Sequence, residues 1–301
     1  MKLKTRYLII TAAVLFITYL LSFTNLFKSS NKKAFKTALL NPKYKNEVTS
    51  IELSQGNEQI ILEKISDFWV VKTEENGFSA PADSKRIENF LEQLSSIINM
   101  YKISDKLSKN NALGFEKSDS FYIKCAYKDT YSEFIFGAQD FSQNFRYFMT
   151  GKTTAVFQTA NQFEPFLTAS ERYWTEAELI SKTITKNISS SDIQRITIND
   201  FQNTKILTPD SKDFKNYASE LLELRHGGIF KLEEFADDSI TEPINISILR
   251  IKLELGNKDE IVLEVYKGQE ENRRLSVYYP KIKYEADFKI SPWTLSKLYQ
   301  K

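Results

Sequence analysis

Apolar residues recur with two periods along this chain. From Val48 to Leu53 the run VTSIEL alternates apolar and polar, and Gln59 to Leu62 and Phe68 to Val71 read as further strands. The stretch Ala80-Pro81-Ala82-Asp83 reads as a turn into a helix, with Asp83 accepting a backbone N–H as N-cap. Behind it Ile87, Phe90, Leu91, Leu94, Ile97 and Ile98 form one apolar stripe at helical spacing, which predicts an amphipathic helix packed on the sheet. After a loop over Ser104 to Asp119, strand-like runs return at Phe121 to Tyr127, Tyr131 to Phe136, Phe145 to Met149 and Thr154 to Gln158. Gly137 and Gly151 punctuate them. A short helix over Asn161 to Leu167 closes this half. A polar, Ser/Thr-rich connector follows over Ser170 to Asp192, interrupted by Tyr173-Trp174 and expected to dock on one half.

The pattern then repeats. Ile193 to Ile198 matches Val48 to Leu53, and Asp210-Ser211-Lys212, Phe214, Asn216-Tyr217 and Leu221 match Asp83-Ser84-Lys85, Ile87, Asn89-Phe90 and Leu94 in spacing. Strands follow at Ile244 to Leu255, Glu260 to Tyr266, Arg274 to Tyr279 and Lys281 to Phe288, then a helix over Ser291 to Tyr299. Each half reads strand, helix, four strands, helix, with an extra hairpin over residues 56 to 72 in the first. The predicted fold is α+β: a duplicated body of mainly antiparallel sheets, each covered by an amphipathic helix.

The N-terminus differs in kind. Tyr7 to Phe27 gives 21 residues without a charge, and as a helix such a run spans roughly 31 Å, the hydrocarbon thickness of a bilayer. Lys2, Lys4 and Arg6 precede it as they would in a signal peptide, but no small-x-small cleavage site follows, and the only cysteine, Cys125, lies too far on for a lipoprotein. A retained transmembrane anchor is expected. The predicted organisation is a cytoplasmic N-terminus at 1–6, an anchor at 7–27, a basic tether at 28–46, a first α+β repeat at 47–169, a connector at 170–192 and a second repeat at 193–301. The expected location is the cytoplasmic membrane, crossed once, with the body periplasmic or otherwise extracytoplasmic.

Charge sharpens the picture. Residues 1 to 46 hold nine basic and no acidic residues, and the remainder carries 32 basic and 39 acidic, a net of −7. Such a body lacks the basic face that phosphate neutralisation requires, which argues against nucleic acid as a partner. One histidine and one cysteine in 301 residues leave little for an all-protein zinc or haem site or for Cys-His catalysis, and no cofactor or metal is expected.

Candidate chemistry is sparse. Gly151-Lys152-Thr153 ends like a phosphate-binding loop, but Arg146 stands where the first glycine belongs and strands flank it, so a hairpin turn is expected. His226 has no partner placed by the sequence. With Gly227 and Gly228 behind it, it reads as the end of the second amphipathic helix. Cys125 alternates with Ile123 and Tyr127 inside a strand and reads as a small buried hydrophobe. The pairs Glu233-Glu234 and Asp237-Asp238 read as solvated acids, and Phe141, Phe145, Tyr147 and Phe148 as core packing. No catalytic, cofactor-binding or metal residue is assigned.

The charged N-terminus with its single apolar run, VTSIEL, the strand ending Asp67-Phe68-Trp69-Val70-Val71, the Ala80-Pro81-Ala82-Asp83 turn and the helix behind it together resemble an uncharacterised bacterial group, domain of unknown function 4340. The resemblance covers residues 45 to 180 and more loosely the rest. Phe68 stands where that group commonly has glycine, and the second copy lacks the Trp strand. It implies an exported, membrane-tethered protein encoded beside ABC-transporter genes of the gliding-motility type. The expected function is a non-catalytic, membrane-anchored accessory component of an envelope ABC-transporter complex, with transporter subunits as partners. The alternatives are a cell-envelope glycan-binding module and a carboxylate-dependent hydrolase.

Overall fold

The computed structural model describes residue 16 and residues 34–73, 79–107, 111–230, 246–268 and 273–299. The chain runs β1 (Phe35–Thr37), β2 (Val48–Gln55), β3 (Glu58–Ile65), β4 (Phe68–Lys72), β5 (Ser79–Pro81), α1 (Ser84–Ser95) and β6 (Ile98–Ser104). It continues with β7 (Phe121–Tyr127), β8 (Thr130–Gln139), β9 (Phe145–Thr150), β10 (Val156–Ala160), α2 (Glu171–Trp174) and α3 (Lys182–Thr185). The second half holds β11 (Ile193–Asn199), β12 (Thr204–Leu207), α4 (Phe214–Glu223), β13 (Gly228–Ile229), β14 (Ser247–Leu255), β15 (Glu260–Tyr266), β16 (Arg273–Tyr279), β17 (Tyr284–Ile290) and α5 (Pro292–Leu298).

These strands make two antiparallel sheets, ordered β1-β6-β10-β9-β8-β7-β2-β3-β4-β5 and β12-β11-β14-β15-β16-β17-β13. The path β3-β2-β7-β8-β9-β10-β6 in the first sheet is traced again by all seven strands of the second, with a helix inserted at the same point of each. The register agrees as well: Ile51 faces Leu62 and Leu53 faces Ile60, as Ile196 faces Leu207 and Ile198 faces Lys205. The hairpin partner β3 thus has a counterpart in β12. What the first half adds is β1, β4 and β5, not the whole of residues 56 to 72.

The fold class needs one correction. No helix among the described residues is long and apolar enough to cross a membrane. The longest, α1, has 12 residues and is amphipathic, so it spans only about 18 Å of the roughly 30 Å required. Among the described residues the fold is two mainly antiparallel sheets with helices, and the expected N-terminal transmembrane helix is not shown. The predicted anchor at 7–27 lies, Phe16 apart, outside the described residues.

Each helix buries the stripe the spacing predicts: Ile87, Phe90, Leu91 and Leu94 on α1, and Phe214, Tyr217, Ala218 and Leu221 on α4. Asp83 caps α1 by accepting from the Arg86 N–H at 3.0 Å. The helix ends sooner than expected, because the Ser95 hydroxyl returns to the Leu91 carbonyl and the Ser96 hydroxyl to that of Gln93. Ile97 is therefore exposed and Ile98 opens β6. Asp210 does not repeat the role of Asp83. Thr208 and Ser211 close a turn on each other, the Thr208 N–H donating to the Ser211 hydroxyl at 3.0 Å, and α4 starts only at Phe214.

Strand β4 joins the halves. Its residues Phe68, Trp69, Val70 and Val71 are all buried, and since side chains alternate across a strand they serve two different cores. Trp69 and Val71 pack in the first core with Leu62, Phe90 and Trp174. Phe68 and Val70, with Ala80 of β5, pack in the second core with Leu275, Val277 and Phe288. The Phe68 ring meets Tyr284 edge-on, with centroids 5.4 Å apart.

Candidate functional site

The connector buries the polar residues Thr175, Glu176 and Ser181, and it docks on both halves rather than one. Trp174 belongs to the first core and Leu179 and Ile180 to the second. Backbone bonds fasten it on each side: the Asp83 N–H donates to the Trp174 carbonyl, and the Leu179 N–H to that of Leu224, both at 2.8 Å.

Between these anchors Glu176 is buried. Its carboxylate accepts from the Ser181 hydroxyl at 2.6 Å and from the Lys182 N–H at 2.8 Å. Ser181 is fully buried, caps α3 through the Ile184 N–H at 3.1 Å, and donates its own N–H to the Tyr279 hydroxyl of β16 at 2.8 Å. Burial raises the Glu176 pKa, opposed by the bonds from Ser181 and Lys182. Nε2 of His226 donates to the Glu176 backbone carbonyl at 2.7 Å, and its ring stacks on Phe288 at 4.4 Å between centroids. Burial lowers the His226 pKa, opposed by its bond to the Glu176 carbonyl.

Serine, glutamate and histidine are thus neighbours, but not as a catalytic triad. A nucleophilic serine needs a base on its hydroxyl and access to substrate. Here the histidine bonds a main-chain carbonyl, and the serine hydroxyl is enclosed. The arrangement is a latch that holds the connector on the second half. The expectation that His226 ends the second amphipathic helix is also corrected: α4 stops at Glu223 with Leu224 as its cap, and Gly227 donates its N–H to the Lys289 carbonyl of β17. The buried face of Phe288 and the Glu176 carbonyl hold the ring, not the helix terminus.

A second polar group lies across β15, β16 and β17, where Glu264, Ser276 and Asp287 sit in register. Arg274 grips Asp287 with two parallel bonds of 2.9 Å from its guanidinium. That guanidinium lies over the Tyr266 ring at 4.5 Å, and the Ser276 hydroxyl donates to Glu285. Burial raises the Asp287 pKa against the pull of Arg274. A general acid needs a carboxyl free to reach substrate, whereas both Asp287 oxygens are held by the arginine fork. Among the described residues no three of His, Cys, Asp and Glu gather as a metal ion would need.

The remaining candidates are dispersed. Gly151 and Lys152 form the turn between β9 and β10. Cys125 is buried in β7 and burial pushes its thiol up to about 12, away from the thiolate that reactivity needs. Phe148 is buried while Phe141 stands fully exposed at the β8–β9 turn, so the aromatic run forms no common platform. Glu233, Glu234, Asp237 and Asp238 lie outside the described residues. Sequence reasoning missed Glu176, Ser181 and Tyr279. It also missed Glu285 and Asp287, whose alternation in YEADFKI was a legible sign of two acids on one strand face. Compared with known protein families, curated proteins and solved structures, the chain matches none.

Proposed function

We propose that the body is a non-catalytic interaction module, an accessory component of an envelope assembly of the ABC-transporter type on the extracytoplasmic side of the membrane. The observation that carries this reading is how the buried polar groups are spent. Glu176, Ser181, Tyr279 and His226 fasten the connector to the second half, and Arg274 occupies the carboxylate of Asp287. A polar interior committed to its own joint leaves the protein with surface to offer rather than chemistry. The transporter identity follows from the family resemblance. Affinity purification of the tagged full chain from its own cells in mild detergent tests it. Co-purification of transporter subunits is the expected result, and their absence overturns the transporter assignment. Turnover of peptidoglycan fragments by the purified chain would overturn the non-catalytic one.

A further inference from the structure

The two halves treat one sheet edge differently. In the first, β4 pairs antiparallel with the outer side of β3, with Val71 opposite Leu62 and Lys72 opposite Ile61. Its Trp69 and Val71 extend the core that contains Leu62 and Phe90. In the second, β12 takes the place of β3 in the same register but is, among the described residues, the outermost strand of its sheet. Leu207 stands for Leu62, Ile206 for Ile61 and Lys205 for Ile60. Between β12 and the helices opens a groove of about 510 Å³, lined by Lys205, by Asp213 just ahead of α4, by Tyr217 and Glu220 of α4, and by Lys297 of α5. Tyr217 is the counterpart of Phe90. Ile206 is 56% exposed, and Phe201, in the turn leading into β12, is 58% exposed.

We infer that β12 is a docking edge that takes an extended peptide segment of a partner protein as an added antiparallel strand, as β3 takes β4. Strand addition draws affinity from main-chain bonds and specificity from alternate side chains. An unpaired edge offers the first, and the groove between β12 and the helices offers the second. Lys205 sets the chemistry of the occupant. On the helix side of the sheet it replaces an isoleucine with a cation, and no ion pair to it is found among the described residues. A wholly apolar strand would bury that ammonium unpaired. A second copy of β12 would bring another lysine to it. The segment that fits has a β-branched or aromatic residue facing Leu207 and a carboxylate facing Lys205.

This inference rests on reading the body as an interaction module, yet its test involves no membrane complex, so its failure leaves the transporter proposal standing. The probe is a fluorescent peptide with the sequence of residues 66–73 in which Thr73, one step beyond the Lys72 pair, is changed to glutamate. It is compared with the same peptide carrying lysine there, on the full chain and on its Lys205→Glu variant. Saturable binding of the glutamate peptide is expected, about fivefold tighter than the lysine peptide, the upper end of what an exposed ion pair supplies. The preference should reverse on Lys205→Glu. Bound peptide should slow amide exchange at residues 204–207. No saturable binding, a preference indifferent to Lys205→Glu, or protection confined to other strands overturns the inference.

Discussion

Phe68 lies in the first half by sequence and in the second by packing, and truncating it separates those descriptions. The side chain is 3% exposed and sits edge-on to Tyr284 at 5.4 Å between centroids. Phe68→Ala should cost about 3–5 kcal/mol as a buried aromatic truncation, of which the ring pair supplies about 0.5–1.5 kcal/mol. Phe68→Leu keeps most of the volume and should cost about 1–2 kcal/mol. Trp69→Ala, one residue on, should cost as much as Phe68→Ala but opens the other core. Urea unfolding gives the magnitudes, and amide exchange of the folded chain gives the location. Phe68→Ala should speed exchange in β14 to β17, and Trp69→Ala in β2, β7 and β8. If Phe68→Ala loosens only the first half, or costs under about 1 kcal/mol, the two-core role of β4 is wrong.

Glu176→Ala leaves the Ser181 hydroxyl and the Lys182 N–H without their acceptor and should cost about 2–4 kcal/mol in urea unfolding, while Glu176→Gln should cost less than half of that. Because burial raises the folded pKa of Glu176, its contribution is fully present below the unfolded value of about 4.3 and is lost as pH rises through the folded one. The stability of wild type relative to Glu176→Gln should therefore decline with rising pH. Gly114 has φ +68°, and a Cβ there would lie 2.6 Å from the Ala138 nitrogen. Gly114→Ala should cost about 2–4 kcal/mol in a thermal or chemical melt, and a neutral effect would mean that the close approach is not real. Cys125 should react with a disulfide reagent no faster than the chain unfolds, since burial holds its thiol protonated. A rapid reaction in the native state would contradict its enclosure in β7.

Much of the frame was legible because it is periodic. The stripes Ile87-Phe90-Leu91-Leu94 and Phe214-Tyr217-Leu221 were visible as helices, and the alternating runs as strands. The misses have local causes. Ile97 and Ile98 continue the helical spacing, and only the side-chain bonds of Ser95 and Ser96 hand them to the next strand. Strands of two or three residues, β1, β5 and β13, are too short to show any period. The run Phe68 to Val71 carries the mark of a strand buried on both faces, an unbroken apolar stretch. The latch was not legible at all. Ser181 and Tyr279 stand 98 residues apart, and no local pattern announces which serine meets which tyrosine.

The doubly buried β4 also sets the order of events during synthesis. Its second face, Phe68 and Val70, is made early, but Tyr284, which meets Phe68, and Phe288 of the same core follow roughly two hundred residues later. At ordinary translation speeds that interval lasts about 10–40 s. The first sheet can close around Trp69 and Val71 within that time, yet it must do so with an aromatic and a valine facing outward. The nascent first half therefore keeps an apolar strand face uncovered until β16 and β17 have been made.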